Sequence, residues 1–233
     1  LGLASAMHVT AGGAFKITGT LTLELVGFYK QYDNLVSRNA APTPPLTQAL
    51  TQDGEGRSYG GQLLLRQDLL KGVFGWVNYS LIRSERKDHP GSDWRTFDYD
   101  QTHVLGVLVS WAIGKGVTVG ARFRMATGYP RTAVIGNFYD VRTDEYQPLF
   151  GEHNGIRIPL FYQLDARIEK TFNWKGGSLN IFLDVQNVTN RANPEEIIYN
   201  YDYTKRSYIT GLPTLAVLGL RLEGDWTPGG SKK

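Results

Sequence analysis

The chain has no cysteine among its 233 residues. A disulfide framework, a thiolate zinc site and an iron–sulfur cluster are therefore excluded. It also has no run near the roughly 20 apolar residues that a spanning helix needs. The most apolar stretch, Val104–Ile113, is about half that length and is interrupted by Gly106 and Ser110. The mean hydropathy of −0.29 argues the same way. A large excess of either charge is missing too: the net charge of +3 carries no nucleic-acid signal, and none is expected as a partner. The first thirteen residues contain no basic segment and do not read as a signal peptide, so either processing removed one or the chain begins mid-protein. Charged residues at 20% and hydrophobic residues at 41% leave enough apolar surface to fold. The length suits one domain or part of a larger one.

Helical periodicity is nearly absent, and alternation is nearly everywhere. In Tyr162–Phe172, Leu164, Ala166, Ile168 and Phe172 are apolar, whereas Gln163, Asp165, Arg167, Glu169 and Thr171 are polar. Ser178–Gln186 repeats the pattern after the tight-turn sequence Asn173–Gly177. Further strands are expected over Met7–Phe15, Leu21–Tyr32, Tyr59–Leu69, Val73–Arg83, Thr102–Ala112, Val117–Thr127 and Thr214–Glu223. That makes about nine strands, longer than the five or six residues typical of soluble sheets. Short turns alternate with long connections: Asn34–Arg57, Lys87–Asp100, Pro130–Pro159 and Val188–Pro213.

Long alternating strands, with short turns at one end and long loops at the other, are the signature of an antiparallel transmembrane β-barrel. In hydrocarbon every backbone N–H and C=O must be paired internally, and a closed sheet achieves this without helices. Phe15, Tyr29, Tyr32, Tyr59, Trp111, Tyr129, Tyr162, Phe172 and Trp174 fit aromatic girdles at the two interfaces. Glu24, Arg66, Asp68, Arg122, Arg124, Asp165, Arg167, Glu169, Asp184, Arg221 and Glu223 share the opposite face, as the lining of a wet or plugged lumen would. The competing reading is a soluble all-β binding module. Nine consecutive strands are an odd number, whereas bacterial single-chain barrels have even ones, so part of a larger barrel is expected.

Several segments in order resemble the C-terminal half of the barrel of TonB-dependent outer-membrane receptors. They are Val26–Val36, Glu55–Arg66, Gly75–Glu85, Phe97–Leu105, Ala126–Thr132, Leu183–Arg191, which looks like the penultimate-strand motif, and Gly211–Leu222, which looks like the closing strand. The resemblance spans Leu3 to Glu223. It implies the last nine or so strands of a 22-stranded barrel over residues 1–223, in the bacterial outer membrane, with a polar tail at 224–233. It further implies as partners a plug domain, the remaining strands, the TonB complex acting through the plug, lipid and lipopolysaccharide, and a scarce ligand such as a siderophore, cofactor, oligosaccharide or peptide. Family barrels end on an aromatic; here Leu222-Glu223 leads into a polar segment in which Trp226 is the candidate substitute.

No cofactor, metal or covalent chemistry is expected. GxSxG and HExxH are absent. Asp98, Asp100 and His103 form the one cluster suited to a rim-active hydrolase, but alternation sends His103 to the other face. A porin-like channel is the other barrel alternative. Arg122 and Arg124 are expected to pair with Asp165 and Glu169 in a wall network that also holds Arg167 and Asp184. Asp140, Asp144 and Glu145 lack the spacing of a calcium loop. The loops are the expected binding elements, through Tyr139, Tyr146, Phe150, His153, Tyr199, Tyr201 and Tyr203, because aromatics give large contact area at low entropic cost.

Overall fold

The computed structural model describes residues 2–39, 41, 43–46 and 49–224. The polar tail and Trp226 lie outside the described residues. Nine long strands follow one another as a meander: β1 (Ser5–Lys16), β2 (Leu21–Arg38), β3 (Leu50–Leu70), β4 (Val73–Lys87), β6 (His103–Gly114), β7 (Val117–Ala126), β12 (Phe161–Trp174), β13 (Gly177–Gln186) and β16 (Leu215–Gly224). Each is antiparallel to its neighbours. The two-residue β5 (Arg95–Thr96) pairs with β4. The other strands are small hairpins within the long connections: β8 (Pro130–Arg131) with β11 (Ile156–Arg157), β9 (Val134–Asp140) with β10 (Glu145–Phe150), and β14 (Pro194–Tyr199) with β15 (Arg206–Thr210). Among the described residues, β1 and β16 each have one edge without a partner strand. The fold is therefore an open section of an antiparallel wall.

The tight turns explain the short connections. Lys71-Gly72 and Lys115-Gly116 have both residues at positive φ, the geometry that matches strand twist in two-residue hairpins. Gly116 is fixed twice over, since a Cβ there would sit 2.4 Å from the Thr171 carbonyl oxygen.

Register then puts like with like. Across β6, β7 and β12, Val107, Phe123 and Leu164 are opposite one another, as are Val109, Ala121 and Ala166. Arg122 lies opposite Asp165 on the other face, and Arg167 opposite Asp184. Among the described residues the apolar face packs against no second layer. Ile158 is the sole buried hydrophobic among the described residues, whereas Leu218, Leu220 and Leu222 are 73%, 70% and 73% exposed. A chain of this length folding in water would bury a large core. A sandwich would press these side chains onto a second sheet, so the soluble-module reading does not hold. No described helix is long and apolar enough to cross a membrane.

Two expectations need correction. β2 and β3 continue to Arg38 and back from Leu50, so most of Asn34–Arg57 is strand rather than loop. Apart from Leu35, Val36 and Leu50 its strand residues are polar or glycine on both faces, and alternation gives no signal there. Tyr32 is not a girdle residue. It lies opposite Gly56 on the polar face, because no bulge intervenes between it and Phe28.

Val107, midway along β6 on the apolar face, is the sensitive position. Val107→Arg is expected to cost about 2–4 kcal/mol at the bilayer midplane and to abolish the heat-dependent gel mobility of a folded barrel. Asn180→Arg, on the polar face, is expected to leave that mobility unchanged.

Candidate ligand-binding site

The long connections are held to the wall by buried polar side chains. Asp100, fully buried, accepts hydrogen bonds from the Ser84 amide (2.6 Å) and the Thr102 hydroxyl (2.9 Å), and pairs with the Arg157 guanidinium. Arg157 also donates to the carbonyls of Asp100 (2.9 Å) and Gly128 (3.1 Å). A buried charge is tolerated only with such partners. The base of the 127–160 connection is thereby fixed to the β4–β6 connection.

A second anchor holds the 187–214 connection. Buried Asp165 accepts from Arg122 (2.8 Å), from the Gln163 amide (2.6 Å) and from the Asn187 backbone N–H (2.9 Å). Asn187 and Asn190 take positive φ, which short polar side chains tolerate. The Asn187 side chain reaches the carbonyls of Arg191 (2.9 Å) and Leu212 (3.1 Å), closing the loop on itself. Arg191 stacks 3.7 Å over Tyr162, and buried Asn193 accepts from the Tyr162 amide (3.1 Å).

Above these anchors the two connections meet. Arg131 forms a bidentate pair with Glu196 at 2.7 Å to each oxygen. The Val134 amide donates to the Tyr199 hydroxyl (3.1 Å), and the Tyr201 hydroxyl donates to the Asp144 carbonyl (3.2 Å). Tyr139, Tyr146 and Tyr201 pack edge to face in series, with centroids 5.2 and 5.7 Å apart, and the Tyr139 hydroxyl bonds the Asp144 carboxylate. Tyr199 and Tyr203 form a separate pair at 6.1 Å. Phe150 ends β10 and is exposed, outside either cluster. His153 instead faces the preceding connection, 3.4 Å from Asp98.

Charge in the loops is largely paired. The Arg131 hydrogen bond holds the Glu196 carboxyl below its ordinary range against the opposing effect of burial, and Glu196 raises Arg131 in turn. Arg95 lowers Asp88 likewise. Asp140 is taken up by Arg142 at 2.9 Å and Asp144 by Tyr139. Among the described residues no acidic or histidine cluster is arranged to hold a metal ion.

On the wall, Arg122 and Arg124 both reach Asp165, at 2.8 and 3.5 Å. Glu169 is not their partner: it pairs with Arg167 (3.1 Å), which also reaches Asp184 (3.4 Å) and stacks on Phe182. A strand offers side-chain neighbours two residues along and directly across, and Arg167 is the nearer cation. The hydrolase cluster does not assemble. Asp100 is committed to Arg157, and His103 lies on the apolar face with its Nδ1 2.7 Å from the Tyr79 hydroxyl.

Solved structures were compared with this architecture. The ferric-catecholate import receptor Fiu of E. coli K12 superposes with a TM-score of 0.66 at 17% identity, over 94% of this chain and 28% of that one. The ferric citrate transporter FecA gives 0.63 at 19% identity, over 94% and 31%. The ferripyoverdine receptor of the Pseudomonas aeruginosa outer membrane gives 0.63 at 17%, over 95% and 27%. The fold is that of an outer-membrane receptor barrel. The chain spans about a third or less of the length of these receptors. No protein-family model and no curated protein matches it.

Reasoning from sequence missed Arg157, Asn187, Asn193, Arg131 and Glu196. Asn187 and Asn190 carried a signal, being short polar residues where a strand stops; a lone arginine in a loop carried none.

Two outcomes test these anchors. Asp165→Ala leaves Arg122 and the Asn187 amide without their acceptor; the expected cost is about 1.5–3 kcal/mol, read as faster hydrogen exchange over 187–193. The Arg131–Glu196 link is expected to be full above the ordinary carboxylate range, because Glu196 titrates lower when folded, and to be lost as pH falls through that lowered value. Proteolysis of 194–210 should therefore quicken on acidification in the native protein, and Glu196→Gln should remove that dependence.

Proposed function

We propose that this chain is the C-terminal wall, over residues 1–223, of a TonB-dependent receptor in the bacterial outer membrane that takes up a scarce ligand. The observation that carries the reading is the nine-strand meander with one bare apolar face and all its long connections at one end. Its likeness to receptors that import ferric complexes supports the transport role and favours a ferric siderophore over the other ligand classes. In this reading the apolar face meets lipid tails, and lipopolysaccharide surrounds the loop end. Arg122, Arg124, Asp165, Arg167, Glu169 and Asp184 line the lumen, and a plug and further strands complete the receptor.

Capture falls to the loops. Tyr139, Tyr146 and Tyr201 offer π faces and hydroxyls from two connections at once, with Tyr199, Tyr203, Phe150 and His153 around them. Contact with ligand then passes to the plug, whose rearrangement by the TonB complex opens the path. No bond is made or broken in the ligand, and 224–233 is a polar appendage.

The test is uptake of radiolabelled ferric siderophores by iron-starved cells of the source bacterium. Disrupting the gene that encodes this chain should abolish uptake of at least one complex, and so should loss of TonB. Tyr201→Ala should weaken binding of that complex by about tenfold, near 1.4 kcal/mol. Uptake that persists without TonB but fails without this gene points to a porin-like channel.

A further inference from the structure

The hollows of the polar face differ in electrostatic character. One, of about 300 Å³, includes Arg122, Asp165, Arg167 and Asp184, whose charges cancel in pairs. A second, of about 490 Å³, lies across β1–β4 beneath Tyr99 and Gln101 of the β4–β6 connection. Among the described residues no carboxylate lines it.

The second hollow is built into the backbone. His8, Lys30, Ser58 and Ser84 lie opposite one another in one cross-strand row. Thr10 and Phe28 begin the next row, which continues through Gly60. A Cβ on Gly60 would stand 2.1 Å from the Leu81 carbonyl oxygen, so no side chain can fill that point of the floor. Around the gap are the Lys30 ammonium and the Gln62 amide, with two polar pairs beside them: the Thr10 hydroxyl with the His8 ring (2.7 Å) and the Ser58 hydroxyl with that of Ser84 (2.9 Å), each pair keeping one further N–H or O–H to donate. Lys30 lies 5.8 Å from the Phe28 ring and forms no ion pair among the described residues. The nearest buried carboxylate, Asp100, is neutralised by Arg157.

We propose that this hollow is an anion subsite that takes a carboxylate-type oxyanion between the loop tyrosines and the lumen. A cation with no carboxylate partner among the described residues, in a concave wall that still offers N–H and O–H groups, favours an oxyanion over a neutral or cationic group. This rests on the receptor reading, in which the polar face is the lumen wall. The oxyanion comes either from the transported ligand or from a side chain of the part of the receptor that fills the barrel.

The test uses the full-length receptor in outer-membrane vesicles. Acylation of Lys30 by an amine-reactive ester is followed by peptide mass spectrometry, with Lys205 on the exposed hairpin as internal reference. Malonate at about 50 mM should slow Lys30 labelling by about tenfold, as a site with a dissociation constant of roughly 5 mM requires, while glycerol leaves it unchanged. That result assigns the site to a diffusible anion. If Lys30 is inert without malonate and Lys30→Met lowers the temperature of the barrel's gel-mobility transition, the oxyanion is the receptor's own. Labelling of Lys30 that malonate does not slow overturns the proposal, and so does an inert Lys30 whose replacement leaves the transition unmoved. Failure of the receptor reading is seen separately, as absence of that transition in the unmodified protein.

Discussion

A backbone N–H surrounded by hydrocarbon has nothing to bond except another part of the chain. That constraint organises the molecule. It explains why the strands run ten residues and more, why each pairs with its sequence neighbour, and why turns at one end shrink to Lys-Gly pairs while the other end carries long connections. It also explains why there is no core in the usual sense. The apolar side chains are spread over one face, and Ile158, in the β7–β12 connection, is the one buried hydrophobic among the described residues.

Once the backbone is satisfied in the wall, the side chains divide the remaining tasks. Pairs on the polar face neutralise charge across strands, as Arg122–Asp165 and Arg167–Asp184 do. At the loop end, buried polar residues work as pins. Asp100, Asp165, Asn187 and Asn193 each join a connection to a strand end or to another connection. The loops therefore leave the wall in fixed directions, and the tyrosine cluster of two separate connections forms above those pins. In the receptor proposed above, rigid bases with aromatic tips would favour selective capture, since less ordering is needed on binding.

The wall was largely legible in the sequence because a single period of two governs it. Each of the nine long strands covers, to within a residue at its ends, the segment that alternation assigned to it, β2 and β3 running well beyond theirs, and the faces of β12, β13 and β16 agree residue by residue. The legible part ends where water begins on both sides. From Thr51 to Ser58 every residue is polar or glycine, so β3 gives no alternating signal there although it is strand. The short hairpins β9–β10 and β14–β15 are hidden for another reason: their apolar residues fall side by side, as in Val134-Ile135, Phe138-Tyr139 and Ile197-Ile198, and do not alternate. Among the proposed binding residues, nearness of Tyr139 to Tyr146 follows from one hairpin, whereas Tyr201 joins them only through tertiary contacts. The Arg157–Asp100 pair links positions 57 residues apart, and no local pattern encodes it.

The central claim is that one face of the sheet touches lipid and the other does not. Spin labels placed singly at 103–112 along β6, in the full receptor in bilayers, read this directly through collision with oxygen and with a water-soluble nickel chelate. Expected is a strict period of two, with oxygen access highest at 105, 107 and 109 and low nickel access at the same positions. Uniform access along the strand, or nickel access peaking at 107, would contradict it.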